Sequence, residues 1–168
     1  MRAVQKWAFL FGCILVAAAV WPVFPALVIT DVKASRPVMY IPVHDGEEFV
    51  ISFVHSVNKR PVYDHIRVDG QYLTIVKSRY DAFGAGMPET AVDGKTLTLN
   101  HDGMLELSGV NYTLPEIKLF VGTVAQHALH IKNKHILLSS LVQPGEPLQF
   151  KVMKVSYLQM WKGRCLYD

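Results

Sequence analysis

The sequence predicts an all-β fold, an antiparallel sandwich or barrel of about nine strands, preceded by an N-terminal transmembrane or signal-anchor helix. Three observations carry this expectation. Short segments rich in β-branched and aromatic residues recur at even spacing, divided by turn chemistry. Two of the divisions contain Asp69-Gly70 and Asp102-Gly103, and Asp-Gly favours tight hairpins between adjacent antiparallel strands. Beyond residue 30, no segment sustains the apolar period of a helix.

Residues 1–30 read as a signal peptide or signal anchor. Arg2 and Lys6 precede Trp7–Val20, which carries no charge, and apolar residues continue through Trp21, Val23, Phe24 and Ala26–Ile29 to the first acid, Asp31. A basic start before a long apolar run is the pattern of export signals and anchors. From Trp7 to Ile29 there is length for a bilayer, which takes roughly 20 apolar residues. Trp7, Phe9, Leu10, Ile14, Leu15 and Val16 are the expected anchor residues. The alternative is cleavage near Ala19, within Ala17-Ala18-Ala19. Residues 31–36 then form a short stalk, 37–160 the β domain and 161–168 a C-terminal tail.

Within the domain, Pro37–Val43 is the first candidate strand, closed by His44-Asp45-Gly46, and Glu48–His55 follows with clean alternation. Val62–Val68 and Tyr72–Tyr80 flank the first Asp-Gly turn; Lys95–Asn100 and Met104–Leu107 bracket the second. Ile117–Val121 comes next, then Ala128–Lys132 and His135–Leu138 around Asn133-Lys134. Leu148–Tyr157 is the last strand, introduced by Pro144-Gly145-Glu146-Pro147. Val121–Leu129 has room for one helical turn. Tyr40, Phe49, Phe53, Tyr72, Tyr80 and Phe150 are expected to fill the core.

With Arg2 and Lys6 set aside, 15 of the 17 basic residues face 14 acidic ones, and no basic run appears. Nucleic acid is therefore not an expected partner. Of the two cysteines, Cys13 sits in the apolar segment and Cys165 near the C-terminus, so no intramolecular disulfide is expected. The domain must be stable through its core alone.

Residues 52–88 concentrate the candidate chemistry. The inward stripe Phe49, Ile51, Phe53 runs into His55, and Asp64-His65 opens the next strand. Counting back from the intervening loop places residues near 64 opposite residues near 55, so His55 and Asp64 are expected to pair across strands. Such a pair either serves binding and proton transfer or pins the hairpin register. His65 follows Asp64 directly and faces the other way, so no metal site is expected from His55, Asp64 and His65. Phe83-Gly84-Ala85-Gly86-Met87-Pro88-Glu89 lacks the Lys-Ser/Thr ending of a phosphate loop and reads as a pocket wall or a tight turn. His101, His127, His130 and His135 stand in no recognisable pattern. Ser139 and Ser140 lack the context of an acyl-transfer nucleophile. No cofactor is implied.

Phe53-Val54-His55-Ser56-Val57, then Arg60-Pro61-Val62-Tyr63-Asp64, then Gly84-Ala85-Gly86-Met87-Pro88 resembles a bacterial family of unknown function, number 1850 in that series. The family typically shows His-Ser-Val, a Pro-Val pair, an acid and Gly-Ala-Gly-x-Pro, and Asp64 stands here where Glu is commoner. The resemblance implies an accessory of a TAXI-type TRAP (tripartite ATP-independent periplasmic) transport system, partnered by permease subunits or the substrate-binding protein. It sets the expected location at a bacterial inner membrane, with one N-terminal span and a periplasmic domain, or in the periplasm after cleavage. It also makes His55, Ser56, Asp64, Gly84, Gly86 and Pro88 the candidate ligand-binding or docking residues of a non-enzymatic protein. A His55-based hydrolase oriented by Asp64, and a purely structural domain, are the alternatives.

Overall fold

The computed structural model describes residues 2–82 and 94–163. In chain order these form α1 (Arg2–Val20), β1 (Phe24–Asp31), β2 (Arg36–Pro42), β3 (Glu48–Val54), β4 (Pro61–Asp69), β5 (Tyr72–Tyr80), β6 (Thr96–Leu99), β7 (Leu105–Leu114), β8 (Ile117–Phe120), β9 (Ala128–Ile131), β10 (Lys134–Leu137), β11 (Pro147–Val155) and α2 (Tyr157–Lys162). One antiparallel sheet runs β2-β1-β11-β8 and the other β10-β9-β3-β4-β5-β7-β6. Neither closes, so the choice between sandwich and barrel falls to an open sandwich. Leu27, Ile29, Ile41, Leu148 and Phe150 of the smaller sheet meet Phe49, Ile51, Ile66, Leu73 and Leu129 of the larger in one core.

The largest departure from expectation is at the N-terminus. Residues Phe24–Asp31 are not the tail of an anchor but β1, a central strand paired with β11 along Phe24↔Val155 to Asp31↔Leu148 and with β2 on its other side. Ala26, Leu27 and Ile29 are completely buried there. The apolar stretch is thus shared between a helix and a core strand. Its uncharged helical part, Trp7–Val20, spans roughly 21 Å at 1.5 Å per residue, against about 30 Å of bilayer hydrocarbon. Among the described residues, no helix is long and apolar enough to cross a membrane. This corrects the expected single span, and the location beyond an inner membrane that rested on it. Trp7, Phe9, Leu10, Ile14, Leu15 and Val16 are exposed on α1.

The expected stalk is also part of the sandwich. Asp31 ends β1, buried, and its Oδ1 accepts the Ala34 N–H at 2.9 Å, which braces the turn that sends the chain into β2. At the other end, the strand expected to reach Tyr157 stops at Val155. Ser156 caps α2: its Oγ accepts the Gln159 N–H at 3.2 Å, and Gln159 Oε1 accepts the Ser156 N–H at 2.8 Å. Residues 123–126 form a turn rather than helix. Of the expected core aromatics, Tyr40, Phe49, Tyr80 and Phe150 are buried, Phe53 is half-buried and Tyr72 is exposed.

One irregularity positions the site. The pairing of β4 with β5 shifts from Ile66↔Ile75 to His65↔Lys77, which leaves Val76 as an extra residue on β5. Without that shift in register, the inward alternation of Leu73 and Ile75 would carry Lys77 and Arg79 into the core. With it, Ser78 and Tyr80 face inwards, opposite Asp64 and Val62.

Candidate functional site

β3 and β4 pair with Ile51↔Asp64, Phe53↔Val62 and Val54↔Pro61. The ladder ends there, so the expected His55–Asp64 cross-strand pair does not form. His55 belongs to the connecting loop. Its N–H donates to the Arg60 carbonyl at 2.8 Å, its carbonyl accepts from Lys59 N–H at 3.0 Å, and its Nδ1 accepts from Val57 N–H at 3.3 Å. The imidazole thus serves as an acceptor for the turn, and Ser56 beside it is exposed. Asn58 Nδ2 donates to the Ala82 carbonyl at 3.3 Å, and Arg60 pairs with Asp81 at 2.6 Å. The loop is strapped in this way to the exit of β5. Gly84, Gly86 and Pro88 lie outside the described residues.

Asp64 points the other way, between the sheets. Ser78 Oγ donates to its Oδ1 at 2.6 Å. The carboxyl lines a half-enclosed cavity of about 150 Å³, whose other walls are Ile51, Phe53, Ile66, Ile75, Ile117, Leu119 and His127. Burial raises the Asp64 carboxyl above the ordinary aspartate value, with the Ser78 hydroxyl opposing. His127 comes from the loop after β8, packs its ring on Phe53 at 5.8 Å and accepts the Gly122 N–H on Nδ1 at 3.2 Å. Burial lowers its pKa, so the ring is neutral near pH 7 and its proton sits on Nε2, available to donate. The same end of β3 is held by the Val54 N–H bond to the Ala125 carbonyl at 2.7 Å. The chamber therefore offers apolar walls, one carboxyl shared with a hydroxyl, and one imidazole donor.

His65 faces the outer surface of the larger sheet, as alternation requires. It lines a shallow depression of about 380 Å³ with Val50, Tyr63, Arg79, Asp102, Met104 and His130. Burial lowers its pKa, and Lys77 and Arg79 add to the effect. Sequence reasoning missed Ser78, which donates to the carboxyl of the cavity, and His127, which lines it. Ser78 had a signal: Leu73 and Ile75 are odd-numbered whereas Tyr80 is even-numbered, a break in the period of two that marks a bulge. His127 had none, since a loop fixes its direction.

The family model described as a domain of unknown function, DUF1850, matches residues 49–138, more than half of the chain. The chain belongs to this family. No curated protein and no solved structure matches it. The DUF1850 match spans β3 to β10 and contains every residue lining the cavity, together with the His55 loop. Strands β1, β2 and β11, which back the core from the smaller sheet, lie outside it.

Proposed function

We propose that this DUF1850 chain is a non-enzymatic docking module, whose cavity takes one aromatic side chain with a hydrogen-bonding tip from a partner protein. The observation that carries this is the chamber's size combined with its chemistry. Pockets for whole small molecules run to ~300–1,000 Å³. A cavity of about 150 Å³ suits a group the size of a benzene ring. A single anchoring side chain in a desolvated pocket is the usual energetic centre of a protein interface. Asp64 and His127 fix what enters by hydrogen bonding, which lets the pocket reject a purely hydrocarbon group.

The catalytic alternative needs a carboxylate to orient His55, and the Asp64 carboxyl is engaged with Ser78 instead. What supports the partner's identity is the family resemblance, which implies a TRAP-type transport system. The partner is accordingly a TRAP permease subunit or its substrate-binding protein. Co-purification of the tagged full chain with those components, from cells that express all of them, tests the reading. Asp64→Asn and Ile117→Trp should both stay folded, and Ile117→Trp should lose the partner by filling the cavity. Retention of the partner by a folded Ile117→Trp protein would overturn the proposal.

A further inference from the structure

We propose that His130 and His135 form a two-imidazole site for a late first-row divalent cation, copper(II) or nickel(II), on the outer face of the larger sheet. β9 and β10 are joined by the two-residue turn Lys132-Asn133, with φ of 49° and 57°. Two successive positive φ values are those of a type I′ hairpin, whose twist matches the strands and fixes their register. Ile131↔Lys134 closes the turn, and His130↔His135 is the next pair out. In an antiparallel ladder this next pair is not hydrogen-bonded, and its side chains approach most closely.

The two rings are close enough for one ion to bridge them. Their centroids are 4.7 Å apart with the planes inclined at 54°. With metal–nitrogen bonds of ~2.0–2.1 Å, two imidazoles on adjacent coordination positions have centroids about 5 Å apart. Ser52, on β3, fixes the inner ring: its Oγ lies 2.7 Å from His130 Nε2. When Nε2–H donates to Ser52, Nδ1 carries the free lone pair, the outer hydrogen bond commonly seen behind a metal-bound histidine. The hairpin is therefore a preorganised chelate with a supporting hydroxyl.

The surroundings select the ion. Lys132 and Lys134 line the same depression as the two histidines, and Glu48 is the acid there. Charge thus does not favour a cation, and hard ions that depend on carboxylates, such as magnesium and calcium, gain little. Among the described residues no group of three His, Cys, Asp or Glu is placed to hold a metal, so water completes the coordination. Two neutral nitrogen donors bind most strongly near the copper end of the first-row series.

Titration of the full chain with copper(II) alone, followed by electron paramagnetic resonance and calorimetry, tests the site. The expected result is one ion per chain with nitrogen coordination, lost in His135→Asn and in His130→Asn. His135 is exposed near the hairpin tip, so its variant folds; thermal unfolding of each variant checks this. Ser52→Ala should weaken binding by ~10-fold, as loss of an outer hydrogen bond to a ligand histidine does. Equal binding by the parent and a folded His135→Asn protein would overturn the proposal, because the copper would then sit on other histidines.

Discussion

Ser78 Oγ donates to Asp64 Oδ1 at 2.6 Å, and the bulge at Val76 in β5, which moves the inward face from odd- to even-numbered residues, brings the two onto one face. The same bulge turns Lys77 and Arg79 out of the core. Deleting Val76 would remove only the bulge: Ser78 and Tyr80 would still alternate inwards with Leu73 and Ile75, and Lys77 and Arg79 would still point outwards. The Val76 deletion is expected to fold, read by a retained cooperative thermal transition. A Val76→Thr substitution, which keeps the residue count, is expected to fold as well.

Asp64 carries a pH signature of the buried pair. Its pKa is raised by burial, so between the unfolded value near 3.8 and the higher folded value the native state holds the extra proton. Stability attributable to Asp64 therefore falls as pH rises through that window. Asp64→Asn keeps an acceptor for Ser78 and removes the ionisation. Its melting temperature is expected to exceed the parent's at pH 7, with the difference shrinking as pH approaches 3.8.

His127 acts with the opposite sign. Burial lowers its folded pKa below 6.5, so below that pH the unfolded state binds the proton first. Stability is full above pH 6.5 and is lost as pH falls towards the folded value. His127→Gln is expected to flatten the acid limb of a melting-temperature profile in that range, and the parent to retain it.

β1 belongs to the core. Removing residues 1–20 is expected to leave a folded sandwich, whereas removing residues 1–31 deletes a central strand and should abolish folding. Leu27→Ala in the full chain is expected to cost about 2–5 kcal/mol, the usual range for a buried leucine. Denaturant unfolding of the shortened chains and of this variant measures all three.

Much of the larger sheet was legible in the sequence because each strand is short, alternating and bounded by turn residues. Tyr72–Tyr80 is β5 to the residue, and the hairpin before it turns on Gly70-Gln71, with Asp69 closing β4 opposite Tyr72. β1 was hidden by composition: Ala26–Ile29 is as apolar as a membrane segment, and a buried central strand shows no alternation to distinguish it. The capping box Ser156-x-x-Gln159 was legible but lay beside a long strand pattern. Two register errors have a common origin. Setting the β9–β10 turn at Asn133-Lys134 instead of Lys132-Asn133 places His135 opposite Lys132 and hides its partner His130. Taking His55 as part of β3 moves it level with Asp64, when the loop in fact begins there. In both hairpins one step along the strand exchanges which side chains meet.

The most direct test of the docking role is methyl NMR on the full chain, following Ile51, Ile66, Ile75, Ile117 and Leu119 while purified TRAP substrate-binding protein, and separately detergent-solubilised permease, is added. One of these partners is expected to shift the cavity methyls first and most, and to lose that effect in Ile117→Trp. Saturable binding whose shifts fall elsewhere on the sandwich, with the cavity methyls unmoved, would contradict it.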